Sequence, residues 1–153
     1  MHNPPANFAM CAEGVYRGGF PSKRNCAFLR RVGLRSIVYL VPEDPPEYYL
    51  EFMRQNDIAL LRCGMVGNKE PFVEIPPDAV AAAVVKVRDP ANHPVYIHCD
   101  KGKHRTGCIV GGMRKAQHWS LAAILEEYRR FAGEKVRTLD QQFIELFSVD
   151  DAR

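Results

Sequence analysis

Residues 95–107 read VYIHCDKGKHRTG. The segment starts with β-branched and aromatic side chains, which are typical of a buried strand. It then enters a loop at Cys99, passes Gly102, and reaches Arg105 where helical spacing begins. A strand that delivers a cysteine into a glycine-bearing loop, with an arginine at the start of the next helix, predicts a binding site for an anion.

The spacing between Cys99 and Arg105 suits a phosphate. Five residues separate them, enough for a loop whose backbone N–H groups point inward around an anion. Gly102 is expected to let the backbone approach closely. The N-terminal end of the next helix attracts anions to the same place. These groups also favour the thiolate form of Cys99, so we predict that Cys99 is a nucleophile.

Arg105 and Thr106 are predicted to take part in the chemistry of this site. Arg105 carries a planar, permanently charged guanidinium that can bind two oxygens of a phosphoryl group, a geometry that lysine cannot match. Thr106 can donate its hydroxyl to the sulfur when the sulfur departs. The alternative is an inert, buried Cys99 with Arg105 capping another element. The strand, the preceding His98 and the Arg-Thr-Gly closure resemble the phosphate loop of cysteine-dependent phosphatases and favour the first interpretation.

The rest of the chain resembles a narrower family. Four segments resemble the plant and fungal atypical dual-specificity phosphatases: VYRGGFP at 15–21, GNKEPF at 67–72, HCDKGKHRTG at 98–107 and LDQQFIELF at 139–147. The similarity runs from about residue 4 to residue 147, so one phosphatase domain is expected over 1–153. The resemblance implies hydrolysis of the β-phosphoryl group of inositol pyrophosphates. Protein tyrosine, dual-specificity or phosphoinositide phosphatase activity is the alternative.

The resemblance also implies specific roles for residues of the site. It implies that Cys99 forms a phosphocysteine and that Arg105 binds the transferred group in the transition state. Asp100 stands where this family often carries lysine or asparagine. The residues implied to bind the substrate's phosphates, or to border the pocket, are Arg17, Asn68, Lys69, Asp100, Lys101, Gly102, Lys103 and His104.

The sequence identifies the general acid less clearly than the other groups of the site. Familiar cysteine phosphatases place an aspartate on a loop upstream of the nucleophile, but residues 64–76 contain Glu70 and Glu74 and no aspartate. Glu70 is our candidate for the acid, and a solvated carboxylate or a partner for Lys69 is the alternative. A phosphate leaving group ionises near pH ~6 and departs with little protonation. A weak or missing acid therefore favours a pyrophosphate substrate.

Two aspartates are further options for the acid. Asp44 and Asp140 both lie outside the 64–76 segment. We favour a structural role for each. Asp140 is expected to pair with His104 or Arg137.

Composition indicates one soluble domain. The 153 residues, 46% of them apolar, suffice for one sizeable core but not for two ordinary domains. The net charge of +3 is too small to favour nucleic-acid binding. Five cysteines form no CxxC pair and no metal-ligand spacing, so no metal or other cofactor is expected. Reduced thiols favour the cytoplasm, with the nucleus as the alternative, and no apolar run is long enough for membrane insertion.

Predicted strands and helices alternate along the chain. Strands are predicted at 15–17, 36–41, 58–63 and 94–99, and helices at 25–31, 47–55 and 78–88, with three helices after the loop. Strands separated by helices need crossover connections, which predicts an α/β fold. We expect a central, mostly parallel twisted sheet of about four to five strands flanked by helices, with ligands at the carboxyl ends of the strands. The cysteine-phosphatase fold implied by the resemblance has this form.

Two other function classes remain open at this point. A non-catalytic module could use the same loop to hold an inositol phosphate or a phosphoprotein without turnover. A pure binder, however, has no need of a thiolate. Sulfur transfer of the rhodanese type is disfavoured by the Arg-Thr-Gly closure. The sequence leaves the oligomeric state open.

Overall fold

The computed structural model describes residues 3–68 and 74–148. Within these ranges five strands form one sheet: β1 (Ala9–Ala12), β2 (Val15–Gly18), β3 (Ser36–Tyr39), β4 (Ala59–Arg62) and β5 (Val95–His98). Six α-helices surround it: α1 (Lys23–Val32), α2 (Glu47–Gln55), α3 (Pro77–Arg88), α4 (His104–Ala116), α5 (Leu121–Ala132) and α6 (Thr138–Leu146). Short 3₁₀ turns lie at Pro90–Asn92 and Gly133–Lys135.

The strand order is β1-β2-β5-β3-β4, and the last four of these strands are mutually parallel. This confirms the predicted α/β class and places β5, the strand that leads to Cys99, in the middle of the sheet. The sequence analysis missed β1, which pairs antiparallel with β2 at the edge. Its sequence AMCA has no β-branched residue, and Met10 is mostly exposed, so neither composition nor alternation marked it as a strand.

Each face of the sheet has its own core. Successive side chains of a strand point to opposite faces, so Tyr96 and Ile97 of β5 belong to different clusters. Ile97 packs with residues of α3 and α4, such as Val84 and Ile109. Tyr96 packs with residues of α1 and α2, such as Leu29. The central strand is therefore buried on both sides, which fixes the position of the residue that follows it.

Helix α4 is the most enclosed helix and lies between α3, α5 and α6. Two glycines permit these close approaches. A Cβ on Gly107 would lie 2.8 Å from Cδ1 of Tyr128 in α5, and one on Gly111 would lie 2.9 Å from Cδ1 of Ile144 in α6. Because its neighbours pack this closely, the N-terminal end of α4 has a fixed position.

The helix boundaries agree with the predictions to within two residues for α1, α2 and α3. Helix α1 starts with a capping box, in which the Ser22 hydroxyl accepts from the Asn25 backbone N–H and the Asn25 side chain accepts in return. Among the described residues, no helix combines the length and apolar character that crossing a bilayer requires.

Candidate active site

Cys99 directly follows β5, and residues 99–105 form a loop that ends in the first turn of α4. We call residues 99–105 the phosphate loop. The Cys99 side chain is almost entirely buried at the base of a cavity. Thr106 Oγ1 donates a hydrogen bond to Cys99 Sγ at 3.1 Å. The hydroxyl therefore stands where the sequence predicted it, in contact with the sulfur.

The Arg105 guanidinium is held in place by two contacts. Its Nη1 donates to the Met65 carbonyl at 3.2 Å, and its Nη2 donates to Asp100 Oδ2 at 3.0 Å. Gly67 lies against the same side chain, since a Cβ there would be 3.2 Å from Arg105 Cγ. Asp100 thus contacts the cation that is predicted to bind phosphoryl oxygens, and an incoming phosphate must compete with this carboxylate for Nη2.

The cavity above Cys99 has a volume of about 540 Å³. Five Lys or Arg side chains and two carboxylates contribute to its lining, so its charge is strongly positive. A space of this size accommodates more than one phosphoryl group. The lining residues are Glu43, Val66, Gly67, Cys99, Asp100, Lys101, Lys103, His104, Arg105, Lys135 and Arg137.

Two predicted substrate contacts do not line this cavity and are corrected here. Arg17 is 1% exposed and lies behind the phosphate loop, where its Nη2 donates to the Gly102 carbonyl at 2.9 Å. Asn68 is also buried; its Nδ2 donates to Asp140 Oδ1 at 2.8 Å and its Oδ1 accepts from the Ile75 N–H at 2.7 Å. Both side chains support the site from outside the cavity, because their polar atoms are directed into the protein.

Gly102 permits a close backbone approach, as predicted, and the segment it approaches is the end of β2. Its φ of +72° is a conformation that glycine adopts without strain. A Cβ at this position would lie 2.4 Å from the carbonyl carbon of Gly18 at the end of β2. Glycine therefore permits close packing of the loop against the sheet, on the side away from the cavity.

His98 fixes the backbone at Cys99. Its Nδ1 lies 2.9 Å from the Cys99 carbonyl oxygen, which can only accept, so Nδ1 carries the proton. Its Nε2 then accepts from the Tyr49 hydroxyl at 2.8 Å. Burial lowers the pKa of His98 to about 4, so the ring is neutral near pH 7. His98 was predicted only as part of the motif, and neither of these contacts was predicted from the sequence.

The comparisons with known proteins agree with this geometry. Residues 3–153 match the model of the Tyrosine phosphatase family. The chain belongs to this family. It is 51% identical over 150 residues to "Inositol diphosphatase DSP1" of Oryza sativa subsp. japonica, covering 98% of this chain and 68% of that protein. It is 49% identical over 151 residues to "Inositol diphosphatase SIW14" of Saccharomyces cerevisiae, with 98% of this chain and 54% of that protein covered. The chain thus spans about half of the yeast relative's length.

A solved structure supports the same family assignment. The core catalytic domain of the PP-IP phosphatase SIW14 from S. cerevisiae, in complex with citrate, superposes with a TM-score of 0.93 at 46% identity. The alignment covers 99% of this chain and 91% of that one. The predicted cysteine-phosphatase fold is therefore confirmed.

Two cavity residues of this tyrosine phosphatase family member were not predicted to bind substrate. Lys135 and Arg137 lie in the turn between α5 and α6. His104 Nε2 donates to the Lys135 carbonyl at 2.6 Å, and Arg137 Nη1 donates to the Asn68 carbonyl at 2.8 Å. These bonds bring the turn to the cavity rim. The sequence shows the two basic residues of the segment K-V-R, but it does not show that this segment lies near the phosphate loop.

The surroundings of His104 affect the charge of its imidazole. Partial burial is the main cause of a lowered pKa for His104, and the Lys135 carbonyl partly opposes it. The imidazole is therefore neutral near pH 7. It ties the α5–α6 turn to the phosphate loop and adds no charge to the cavity.

The structural role predicted for Asp140 is consistent with its surroundings, but the predicted partners are wrong. Asp140 is buried and accepts from Asn68 Nδ2 and from the Tyr128 hydroxyl, the latter at 2.6 Å. Burial, followed by this hydrogen bond, raises the pKa of Tyr128. His104 and Arg137 bond to backbone carbonyls instead.

The predicted general acid lies outside the described residues, as does Lys69. Glu70 therefore stays a prediction. Asp44 is exposed and forms an ion pair with Arg62 at 2.7 Å, away from the cavity lining. Within the described ranges the carboxylates that line the cavity are Glu43 and Asp100. The sequence analysis did not consider Glu43, which lies beyond the end of β3.

Proposed function

We propose that this protein hydrolyses the β-phosphoryl group of inositol pyrophosphates through a phosphocysteine intermediate. The observation that carries the proposal is the cavity, in which Cys99 and Arg105 are accompanied by four further Lys or Arg side chains. One phosphoryl group needs only the phosphate loop and Arg105. The additional cations suit a substrate with several phosphates. Relatives named inositol diphosphatases support the same substrate class.

In the first step the Cys99 thiolate attacks the β-phosphorus in line with the bond to the leaving oxygen. A P–S bond forms, the P–O bond of the anhydride breaks, and its electron pair stays on the departing phosphate. The loop N–H groups and Arg105 bind the equatorial oxygens, where charge is spread in the transition state. Preorganised donors thus supply the electrostatic stabilisation.

In the second step water attacks the phosphocysteine. The P–S bond breaks, orthophosphate leaves, and the electron pair returns to the Cys99 sulfur. The Thr106 hydroxyl, 3.1 Å from Sγ, stabilises the negative charge that develops there. This contact favours turnover over mere phosphate binding, because a binding module gains nothing from a stabilised thiolate.

The leaving group sets how much acid catalysis is needed. The phosphate expelled from an anhydride has a second ionisation near pH ~6 and departs with little protonation, whereas an ester expels an alcohol or phenol that is a weaker acid. Glu70 is our candidate for the acid, and its removal should matter more for aryl or alkyl phosphates than for a pyrophosphate.

The distal phosphates of the substrate are assigned to the rim of the cavity. Lys101 and Lys103 come from the phosphate loop, whereas Lys135 and Arg137 come from the α5–α6 turn. The two groups belong to different elements, so together they can bind a ring that carries phosphates on more than one side.

Phosphotyrosyl protein is the second candidate substrate, because the chain belongs to the tyrosine phosphatase family. A phosphotyrosine slot needs aromatic or apolar walls against the ring. Among the described residues that line the cavity, Val66 is the one large apolar side chain, and none is Phe, Tyr or Trp. The lining therefore favours the polyphosphate over the aryl phosphate.

The test is a direct comparison of substrates. The pure protein is incubated without added metal with an inositol pyrophosphate, a phosphoinositide and a phosphotyrosyl peptide, and the products are separated by chromatography. We expect the highest kcat/KM for the inositol pyrophosphate, with release of orthophosphate and an inositol polyphosphate that has one phosphate fewer. A higher kcat/KM for the phosphotyrosyl peptide would overturn the assignment.

A further inference from the structure

We propose that Arg17 is a positioning residue of the phosphate loop: its guanidinium, behind the loop, orients the Gly102–Lys103 peptide toward the anion. The proposal rests on the proposed phosphatase chemistry but not on the identity of the substrate. It replaces the predicted contact between Arg17 and the substrate.

The surroundings of Arg17 are unusual for a buried arginine. Its Nη2 donates to the Gly102 carbonyl at 2.9 Å, and its guanidinium carbon lies 3.8 Å from the centre of the Phe131 ring. Nε and Nη1 are buried and have no hydrogen-bond partner among the described residues. Nor does any described carboxylate form an ion pair with it. Burying a charge in this way costs stability, so stability alone does not account for it.

Peptide geometry links this contact to the cavity. In a trans peptide the carbonyl of one residue and the N–H of the next point in opposite directions. The Gly102 carbonyl is bound from behind by Arg17 and by Asn7 Nδ2, the latter at 3.2 Å. The N–H of Lys103 therefore points to the other side of the loop, where the cavity lies.

The carbonyl two residues earlier in the loop is also bound from the sheet side. The Asp100 carbonyl accepts from the Phe20 N–H at 2.9 Å, which turns the Lys101 N–H away from the sheet. One neutral donor holds this first peptide, whereas a charged donor, together with Asn7, holds the second. Because a hydrogen bond to a charged group is the stronger kind, Arg17 both fixes and polarises the Gly102–Lys103 peptide.

Burial acts on the charge of the Arg17 guanidinium itself. Burial lowers the pKa of Arg17, and the Glu127 carboxylate partly opposes this effect. The Phe131 ring keeps water from one face of the guanidinium, so the charge of Arg17 is poorly screened.

Arg114 provides a matched comparison within the molecule. It is also buried and also stacks on an aromatic ring, Trp119, at 3.9 Å. Its guanidinium, however, is paired with both carboxylate oxygens of Glu127 and with the Cys11 carbonyl. Arg114 has the bonds of a structural arginine and Arg17 does not.

The test uses Arg17→Met, Arg17→Lys and the control Arg114→Met. Two quantities are measured for each variant: the pH midpoint of Cys99 alkylation by iodoacetamide, followed by peptide mass spectrometry, and the Kd for tungstate. For Arg17→Met we expect a higher pH midpoint and a Kd weakened by about tenfold to a hundredfold, as for loss of a charged hydrogen bond. Arg17→Lys should show smaller changes of the same sign, since it keeps the charge.

Arg114→Met should lower Tm while it leaves both the alkylation midpoint and the tungstate Kd at the wild-type values. If Arg17→Met loses Tm in the same way with an unchanged midpoint and Kd, Arg17 is structural and the proposal is wrong. Should Arg17→Met fail to fold, Arg17→Lys decides, because wild-type values for both quantities would contradict the proposal. Neither readout involves an inositol pyrophosphate, so failure of the substrate assignment remains a separate result.

Discussion

The phosphate loop is surrounded by cations on its cavity side, whereas buried groups hold it on its sheet side. On the cavity side, Lys101, Lys103 and Lys135 lie at an accessible rim. On the sheet side, Arg17 and His98 are inaccessible to solvent and bind backbone carbonyls of the loop. The difference indicates that the cavity side selects the substrate and the sheet side sets the geometry that every substrate needs.

The largest effect is expected from replacement of Cys99, the proposed nucleophile, because the groups on both sides of the loop act on it. Cys99→Ser should lower turnover by at least about 10⁴-fold, since a serine hydroxyl is not ionised at neutral pH. The measurement is phosphate release from an inositol pyrophosphate and from a small aryl phosphate. Activity retained on either substrate would remove the covalent mechanism.

On the sheet side, Gly102→Ala should damage the loop for all substrates. The new Cβ would lie 2.4 Å from the Gly18 carbonyl carbon, and φ is +72°. The control is Gly33→Ala, where φ is +76° but nothing lies within 4 Å of the new Cβ. We expect the control to cost about 1 kcal/mol of the free energy of unfolding, with normal activity.

Gly102→Ala should lose more stability than Gly33→Ala and should lose activity on aryl phosphate and inositol pyrophosphate alike. The free energies come from urea unfolding. Equal losses of stability in the two variants would show that backbone strain, and not packing against β2, is what requires glycine at position 102.

On the cavity side, Lys103→Ala and Lys135→Ala should act selectively. Each should raise KM for an inositol pyrophosphate by about tenfold, as expected for a lost hydrogen bond between charged groups, with little change for an aryl phosphate. Lys23→Ala, a lysine in the groove between α1 and α2, is the control and should match the wild type. Equal losses on both substrates would refute the assignment of these lysines to distal phosphates.

Thr106 lies between the cavity side and the sheet side of the phosphate loop, and its substitution should affect one step of the reaction only. Thr106→Val keeps the shape of the side chain but removes the hydroxyl that contacts Sγ. Breakdown of the phosphocysteine should slow by about tenfold, a cost in the range of a charged hydrogen bond. Rapid-quench kinetics with an aryl phosphate should then show a burst of product before the steady state. A variant without a burst, but with a slower first turnover, would place the hydroxyl in the attack step instead.

The smallest effect at neutral pH concerns His98, which acts on stability. Burial lowers its pKa in the folded protein to about 4, whereas the ordinary histidine pKa of 6.5 applies to the unfolded chain. Below pH 6.5 the unfolded chain therefore binds more protons, so the stability present above pH 6.5 is lost as the pH falls toward 4. The total loss is roughly 3 kcal/mol.

Urea unfolding of the wild type and of His98→Gln between pH 4.5 and 7.5 measures this contribution. The amide of glutamine can donate to the Cys99 carbonyl and accept from Tyr49 without titrating. The variant should therefore lose less stability than the wild type on acidification. Parallel pH profiles would show that other groups dominate the acid sensitivity.

The parts of the site that the sequence predicted lie close together along the chain. Cys99, Arg105 and Thr106 belong to one strand–loop–helix unit, and the geometry of that unit is set by local spacing. The Thr106–Cys99 hydrogen bond spans seven positions. The alternating strands and helices predicted the parallel sheet for a similar reason, because short-range periodicity determines each element and crossovers follow from their order.

Several contacts that were missed or misplaced join distant segments. Arg17 meets Gly102 across 85 positions, and His104 meets Lys135 across 31. Asp140 finds Asn68 across 72. Residue type suggested that these groups matter. Their partners depend on how the elements pack, which periodicity does not specify.

The sequence by itself predicted the candidate nucleophile, its cation and its hydroxyl, and it determined that they lie together, because backbone geometry over a few residues leaves them little freedom. Only the tertiary structure decided which charges face the substrate and which face the sheet. A basic side chain on β2 or in the α5–α6 turn has the same chemistry wherever it lies. Its function follows from the direction in which the packed elements point it, and that direction is fixed by burial of the two cores on either side of β5.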